Sequence, residues 1–308
     1  AIDHGREAFG GVVVARDLGL ALEARLAALA GLHRHCPAQV VAIEAIETGW
    51  RVTLARDGAH DTVDTRLLVA ADGTGSFVRG ALGIGTEVHD YGQTLFVSSL
   101  ATERAPDGSA WERFTDTGPV ALLPRPDGHH GAIMGVASED AEAVAALDDA
   151  AYLARLQARF GGRAGRFLRV GRRASYPLRR VVAERLLAPR AVVMGNAAQT
   201  IHPIGAQGFN LGLRDALCLA DLVADGGDPG EPQRLSRYPA LRAEDRERTL
   251  AFSDGLARLT ANASFPMHVL RSLGMLALDR LPLLKAPLAS GAMGYRGTLP
   301  SAVRGGRA

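Results

Sequence analysis

The spacing of apolar residues changes character several times along the chain. Near the start, Val12, Val13 and Val14 form a short β-branched run that predicts a fragment of sheet within residues 1–16. Leu18, Leu22, Leu26 and Leu29 then share one helical face, which predicts a helix from Leu18 to Leu32. Val40–Ile46 reads as a strand. Trp50, Val52 and Leu54 alternate with Arg51 and Thr53, as in a half-buried strand, and Arg56-Asp57-Gly58 marks a turn after it. Leu67–Ala71 is apolar on both faces. It predicts a strand inside a sheet, ending at Asp72-Gly73.

From residue 86 to 185 short strand candidates dominate: Thr94–Leu100, Trp111–Phe114, Val120–Leu123 and Ala132–Val136. Gly, Pro and Asp turns separate them at the spacing of an antiparallel sheet. A helix capped at Ser138 runs to Phe160 with a break near Asp148-Asp149, and strand returns over Arg169–Leu178. Val192–Leu222 opens as an apolar strand and passes through Gly195-Asn196 into a loop bearing Pro203, Gly205 and Gly208. It continues as an apolar-periodic helix starting near Phe209–Leu211. Beyond the breaker cluster Gly226-Gly227-Asp228-Pro229-Gly230 the pattern is helical, over Arg237–Asn262 and over Met267–Gly294 in two pieces divided at Pro282. The tail from Pro300 reads as disordered. This order predicts an α/β fold, α+β overall. Residues 17–85 and 186–230 would form one discontinuous domain, 1–16 and 86–185 a β-rich domain inserted in it, and 231–308 a C-terminal helical region.

The 308 residues suffice for one large domain or two ordinary ones, and a hydrophobic share of 47% with 22% charged residues is that of a globular chain. A net charge of +2 carries no nucleic-acid footprint. Of the 35 basic residues only Lys285 is a lysine, which reads first as compositional bias. It still excludes a GxxxxGK[ST] phosphate loop and leaves any Schiff-base chemistry to Lys285 alone. Cys36 and Cys218 lie far apart, with no CxxC and no zinc spacing. They predict a reducing, cytoplasmic setting and no structural metal. The opening AIDHGREAFGG lacks the basic start and apolar core of a signal peptide. Met267–Gly294 is interrupted by Arg271, Asp279, Arg280 and Lys285, so it predicts an amphipathic surface rather than a membrane span.

Two stretches carry candidate chemistry. In Asp72-Gly73-Thr74-Gly75-Ser76-Phe77-Val78-Arg79, an Asp-Gly turn closes a buried strand. Ser76 and Arg79 follow at spacings that let a hydroxyl and a guanidinium return to the turn if a helix begins there, and a phosphate or ribityl chain could use the same groups. In the second stretch, Asn196, Gln199, Thr200, His202, Gln207 and Asn210 crowd a loop longer than a mere connection requires. Gly205 and Gly208 permit close backbone approach, Pro203 stiffens the entry, and the helix N-terminus favours an anion. His202 suggests a phenol base, but a hydrogen-bonded loop histidine fits equally well, so no catalytic residue is assigned.

Together these stretches resemble the FAD-dependent aromatic hydroxylases, the group A flavoprotein monooxygenases of the para-hydroxybenzoate hydroxylase fold. Ala71–Arg79 is similar to the family's second FAD motif, which serves both FAD and NAD(P)H. Gly195–Ala198 is similar to its third, at the FAD ribose and pyrophosphate. GNAAQTIHPIGAQGFNLGLRDALCLAD, LGIGTEVHDYGQTLFVSSL and WERFTDTGPVALLPRPDG resemble the ubiquinone-biosynthesis branch, which acts on polyprenyl phenols such as a 2-octaprenyl-6-methoxyphenol. The resemblance implies an FAD domain with an inserted antiparallel substrate domain. It implies FAD with NADPH or NADH as electron donor, and hydroxylation of the phenol ring through a flavin C4a hydroperoxide. Asp72, Gly73, Ser76, Arg79, Gly195, Asn196 and Ala197 would serve the cofactor. Pro203, Gly205, Ala206, Gln207, Gly208, Phe209, Asn210 and Leu211 would follow the isoalloxazine ring, with the amides of Asn210 and Leu211 facing its pyrimidine edge. The implied partners are the polyprenyl phenol, the inner-membrane surface peripherally, and other ubiquinone-biosynthesis proteins.

The chain departs from the family in one large respect. The strand–GxGxxG–helix that seats the ADP half of FAD has no counterpart, so the FAD domain is expected to be incomplete and FAD binding by this chain weak or absent. Asn196 stands where the wider family carries aspartate, and Gly205-Ala206-Gln207-Gly208 exchanges the small residues of an Ala-Gly-Gln-Gly segment. Two alternatives stay open: a non-catalytic flavin-fold scaffold, and a hydroxylase of a small soluble aromatic.

Overall fold

In the computed structural model, residues 8, 10–115, 117–261, 265–281, 293 and 300–304 are described. They fall into two compact units. The first comprises residues 1–33, 90–178 and 256–286; the second comprises 34–89, 179–255 and 287–308.

The second unit carries a β-meander and a three-stranded sheet. Strands β1 (Gln39–Ile46), β2 (Gly49–Arg56) and β3 (Ala59–Thr65) form the meander. Its tight turn is Asp57-Gly58, with φ of 51° and 80°, the paired left-handed geometry of a two-residue hairpin. Sequence periodicity missed β3, because its residues are mostly polar and exposed until Thr65. Cross-strand pairing decides it instead: Arg51 and Asp64 stand opposite and make two 2.8 Å hydrogen bonds. The short strand β4 (Leu68–Ala70) is followed by a five-residue helix, α2 (Phe77–Ala81), and β5 (Thr86–Thr102) starts in this unit.

In the first unit, β5 continues through an antiparallel array with β8 (His130–Ala137), β7 (Gly118–Pro124) and β6 (Trp111–Thr115). The strand β9 (Phe167–Val170) pairs with the C-terminal part of β5. Close passage of β7 and β8 needs two glycines: a Cβ on Gly135 would come within 2.8 Å of the Gly118 Cα. The predicted helix from Ser138 is a 3-10 turn (Ser138–Asp140), a short α3 (Ala141–Ala145) and then α4 (Asp149–Phe160). The foreseen break supplies the effective cap, since the Asp148 carboxylate accepts from the Ala151 amide at 2.7 Å. Tyr152, Leu156 and Phe160, four residues apart, bury one stripe of α4 in a core with Phe96, Leu100, Val120 and Met134.

Several expectations are corrected. Val12–Val14 is not strand, and helix α1 (Ala15–Ala27) begins directly after it and ends before Leu32. None of the residues of α1 is buried. Arg169–Leu178 is two strands, β9 and β10 (Ala174–Ala183), interrupted at Gly171–Arg173, where the Gly171 amide pairs with Ser99.

The second unit resumes with β11 (Leu187–Ala188), β12 (Ala191–Val193), β13 (Gln199–Thr200) and helix α5 (Gln207–Val223). Then come α6 (Pro232–Leu235) and α7 (Arg237–Ala261), which enters the first unit at Leu256, where α8 (Phe265–Arg280) follows. The division at Pro282, the piece after it and Lys285 lie outside the described residues. The tail is not wholly irregular: α9 (Ser301–Arg304) is helical, and its Ser301 amide and hydroxyl bond the Asp221 carboxylate at 2.7 and 2.5 Å. The second unit's core gathers Val192, Val193, Cys218, Leu219, Leu222 and Tyr238 around β12.

Candidate cofactor site

Both glycine-bearing motifs leave the same end of the sheet β11–β12–β4. Strands β4 and β12 run parallel, with Leu68 opposite Ala191 and Ala70 opposite Val193. The Met194 amide extends the pairing to the Ala70 carbonyl at 3.0 Å. Asp72 and Gly195 therefore lie just beyond neighbouring strand C-termini, where open α/β sheets receive ligands.

The Asp72 loop closes on itself. Its carboxylate accepts from the Ser76 hydroxyl and from the Val78 amide, the latter at 3.0 Å. Ser76 Oγ accepts from the Arg79 amide at 2.9 Å and so caps α2. The buried Arg79 guanidinium donates to the Thr74 carbonyl at 3.1 Å and to the Ala197 carbonyl at 2.7 Å. Arg79 thereby ties the first motif to the second. Gly73, with φ of 86°, supplies the left-handed residue of the turn.

The second loop is open. Asn196, Pro203, Gly205, Ala206, Phe209 and Asn210 are exposed. Gly195 has φ of 57°, and no atom would lie within 4 Å of a Cβ placed there. Ala206 adopts φ of 52° and stands at the N-cap of α5 with no side-chain cap. The helix starts at Gln207, earlier than the expected Phe209–Leu211. The amides of Gly208 and Phe209 therefore have no intrahelical acceptor, while Leu211 belongs to the helix body and is fully buried. Gln207 is turned inward and donates from Nε2 to the Gly205 carbonyl at 3.1 Å; Asn210 Nδ2 reaches the Ala206 carbonyl at 3.4 Å. Exposed backbone, a left-handed glycine with space around it, and an uncapped N-terminus on a 17-residue helix fit a flat cofactor that carries negative charge at one edge.

A buried charged network holds this loop, and it is the part of the site that sequence reasoning missed. Asp215, on α5, accepts from the Gly195 amide at 3.1 Å, from Gln199 Nε2 at 2.6 Å and from Arg242 Nε at 2.7 Å. Arg242 also donates to Asp245 at 2.7 Å, and Asp245 pairs with Arg214 at 2.7 and 3.2 Å. Arg246 donates to Gln199 Oε1 at 2.8 Å. Burial pulls the Arg242 pKa down, but the Asp215 and Asp245 carboxylates outweigh it and hold the guanidinium above its ordinary value. Burial prevails at Arg246, whose pKa is lowered. A signal for the network was present: Arg214 and Asp215 fall on the same stripe of α5 as Leu211, Cys218, Leu219 and Leu222. Gly212 completes the support, because a Cβ there would meet the Gly195 Cα at 3.2 Å.

His202 is almost wholly buried, and Nδ1 accepts from the Ile204 amide at 3.2 Å while its carbonyl accepts from Ser253 Oγ at 2.8 Å. Burial pushes its pKa down to about 4, against an opposing pull from Asp254. A neutral ring bonded to its own loop is a structural histidine. Among the described residues no three His, Cys, Asp or Glu side chains gather to hold a metal, and no helix is long and apolar enough to cross a membrane.

A parallel pair of strands feeding two such loops is the arrangement of a ligand-binding α/β domain, and the chain belongs to the FAD binding domain family, whose profile matches residues 19–253. It is 38% identical over 289 residues to the ubiquinone hydroxylase UbiL of Rhodospirillum rubrum, covering 92% of this chain and 67% of that protein. It is 29% identical over 270 residues to 3-demethoxyubiquinol 3-hydroxylase of Escherichia coli K12, covering 86% of this chain and 65% of that protein. The chain thus spans about two thirds of the length of these curated relatives. In fold it is similar to p-nitrophenol 4-monooxygenase PnpA of Pseudomonas putida, with a TM-score of 0.76 at 14% identity, covering 93% of this chain and 74% of that one. The predicted α/β flavin-hydroxylase fold with an antiparallel sheet is therefore observed.

Proposed function

We propose that the protein is an FAD-dependent monooxygenase that hydroxylates the ring of a polyprenyl phenol in ubiquinone biosynthesis, using NADPH or NADH and O2. The observation that carries this reading is the identity to ubiquinone hydroxylases over most of this chain, including both loops at the ends of β4 and β12. Bound FAD would supply the redox chemistry, taking reducing equivalents from NAD(P)H and activating O2. The residues of this chain bind and orient. Gly195, Asn196 and Ala197 would hold the ribose and pyrophosphate region, with Asp72, Gly73, Ser76 and Arg79 fixing the adjoining loop. Pro203, Gly205, Ala206, Gln207 and Gly208 would line the ring. The uncapped amides of Gly208 and Phe209 would face its electron-rich edge, with Asn210 beside them and Leu211 packed behind. A half-charge there contributes ~0.3–1 kcal/mol toward a neighbouring anion, rising to about 2 when partly buried. Peripheral contact with the inner membrane and with other ubiquinone-biosynthesis proteins belongs to the same reading, because a polyprenyl tail partitions into lipid.

The test adds FAD to the purified protein and follows flavin fluorescence, then supplies NAD(P)H, O2 and a short-chain polyprenyl phenol. Saturable quenching and a product heavier by one oxygen are expected. Flavin binding with product only from small soluble phenols would replace the substrate, and failure to take up FAD even when a strand–GxGxxG–helix segment is supplied to the chain would overturn the catalytic reading.

A further inference from the structure

Strand β6 ends its sheet, and two cavities of the first unit share its residues Arg113 and Phe114. The first, about 520 Å³, is lined by Arg113, Arg155 and Arg159 together with Thr115 and Thr117. The guanidiniums are positioned from within the unit. Arg113 donates to the Phe160 carbonyl at 3.3 Å and makes no ion pair among the described residues. Arg155 contacts Asp140 at 3.2 Å, and its enclosed Nε has no hydrogen-bond partner among the described residues. Arg159 donates to both threonine hydroxyls. Asp116, between the threonines, lies outside the described residues.

The second cavity, about 560 Å³, is apolar along most of its wall, with Phe114, Leu256, Leu259, Leu270, Met275 and Leu278. Glu112 also borders it, and desolvation raises its carboxyl pKa. Helix α8 carries the apolar surface outward: Leu270 and Leu273 are each 58% exposed, and Met275 and Leu276 are exposed as well. Single exposed leucines need no explanation, but several on one helix beside an apolar groove do.

We propose that this face of the first unit docks on a bilayer containing anionic phospholipid, with a headgroup phosphate in the arginine cavity and acyl chain along the groove. Charge and shape agree on that occupant. A free anion would fill the arginine cavity and leave the groove bare. A second copy meeting this face about a twofold axis through the arginine cavity would set arginines against arginines. An amphiphile with an anionic head satisfies both cavities at once. The inference names the surface for the membrane contact in the proposed function and rests on that part of it. Its test contains neither flavin nor phenol, so the two fail separately.

The experiment is flotation of the whole chain with phosphatidylcholine vesicles, with and without phosphatidylglycerol. Binding is expected to the anionic vesicles and to weaken with added salt. R113Q/R155Q should lower the vesicle affinity about thirtyfold, at roughly fivefold per arginine. L270Q/M275Q, at exposed positions, should also release the protein, whereas R16Q on α1 should not. Thermal melts confirm that each variant is folded. Absent or equal binding to both vesicle types, equal loss in R16Q, or displacement by millimolar inorganic phosphate without any effect of L270Q/M275Q would overturn the proposal. So would a change in oligomeric state, by sedimentation, as the only consequence of L270Q/M275Q.

Discussion

The two loops at the ends of β4 and β12 begin alike, each with a glycine in the left-handed region, and then solve opposite problems. In the Asp72 loop the polar side chains of Asp72, Ser76 and Arg79 are spent on the local backbone and on one another. The Gly195–Asn210 loop is exposed at Asn196, Pro203, Gly205, Ala206, Phe209 and Asn210, and support comes from a buried charged network behind it. A loop bonded mostly to itself keeps its shape largely from within, apart from the one Arg79 bond to Ala197. An open one presents donors to a ligand and needs a rigid support, since otherwise ordering it would cost conformational entropy on binding. The contrast can be broken at graded cost.

The largest effect is expected at Asp215. Replacing it with alanine leaves Arg242 buried without one carboxylate and the Gly195 amide without its acceptor, a loss of ~3–5 kcal/mol on the scale of broken buried ion pairs. Urea unfolding of D215A measures it. A loss below about 1 kcal/mol would mean that the open loop is not held by the network.

Next comes acid. His202 has a folded pKa of about 4 against an ordinary 6.5, so the folded protein refuses a proton that the unfolded chain accepts between those values. The stability from keeping it neutral is fully present above pH 6.5 and declines as pH falls toward 4, by ~3 kcal/mol in all. H202Q should lose that part of the slope. Parallel slopes for wild type and variant in denaturation at pH 7 and 4.5 would sink the assignment.

Arg79→Gln should cost ~2 kcal/mol, because the Thr74 and Ala197 carbonyls lose a charged donor. It should act on both loops, seen as weaker FAD affinity along with the lower melting temperature. Gly195→Ala is the mildest, at ~1 kcal/mol, since φ of 57° strains alanine while the space is open. If G195A weakens FAD binding more than it lowers stability, the glycine serves the ligand; if the two fall together, it serves the turn.

Much of this contrast was legible in the sequence. Ser76 and Arg79 sit three and six residues beyond Gly73, and that spacing allowed them either to return to the turn or to meet a ligand; the structure shows them on the turn. The two glycine loops, the Asp57-Gly58 turn and the Asp148 break were all marked by residues whose effect is local. The network was not, because Asp215 meets Arg242 from 27 residues away and Arg214 meets Asp245 from 31, through packing of α5 against α7. Viewed along either helix alone, such charges look solvated. The onset of α5 was misplaced for a related reason: Ala206, at its N-cap, takes the left-handed conformation that is usual only for glycine, asparagine or aspartate.

Arg79 gives the two loops a common fate in time. Its guanidinium holds the Thr74 and Ala197 carbonyls together, so opening either loop requires releasing the other. Under conditions where amide exchange reports equilibrium opening, the amides of Val78 and Ala198, bonded within their respective loops, should exchange through one shared event. In R79Q the two should separate into a faster and a slower class.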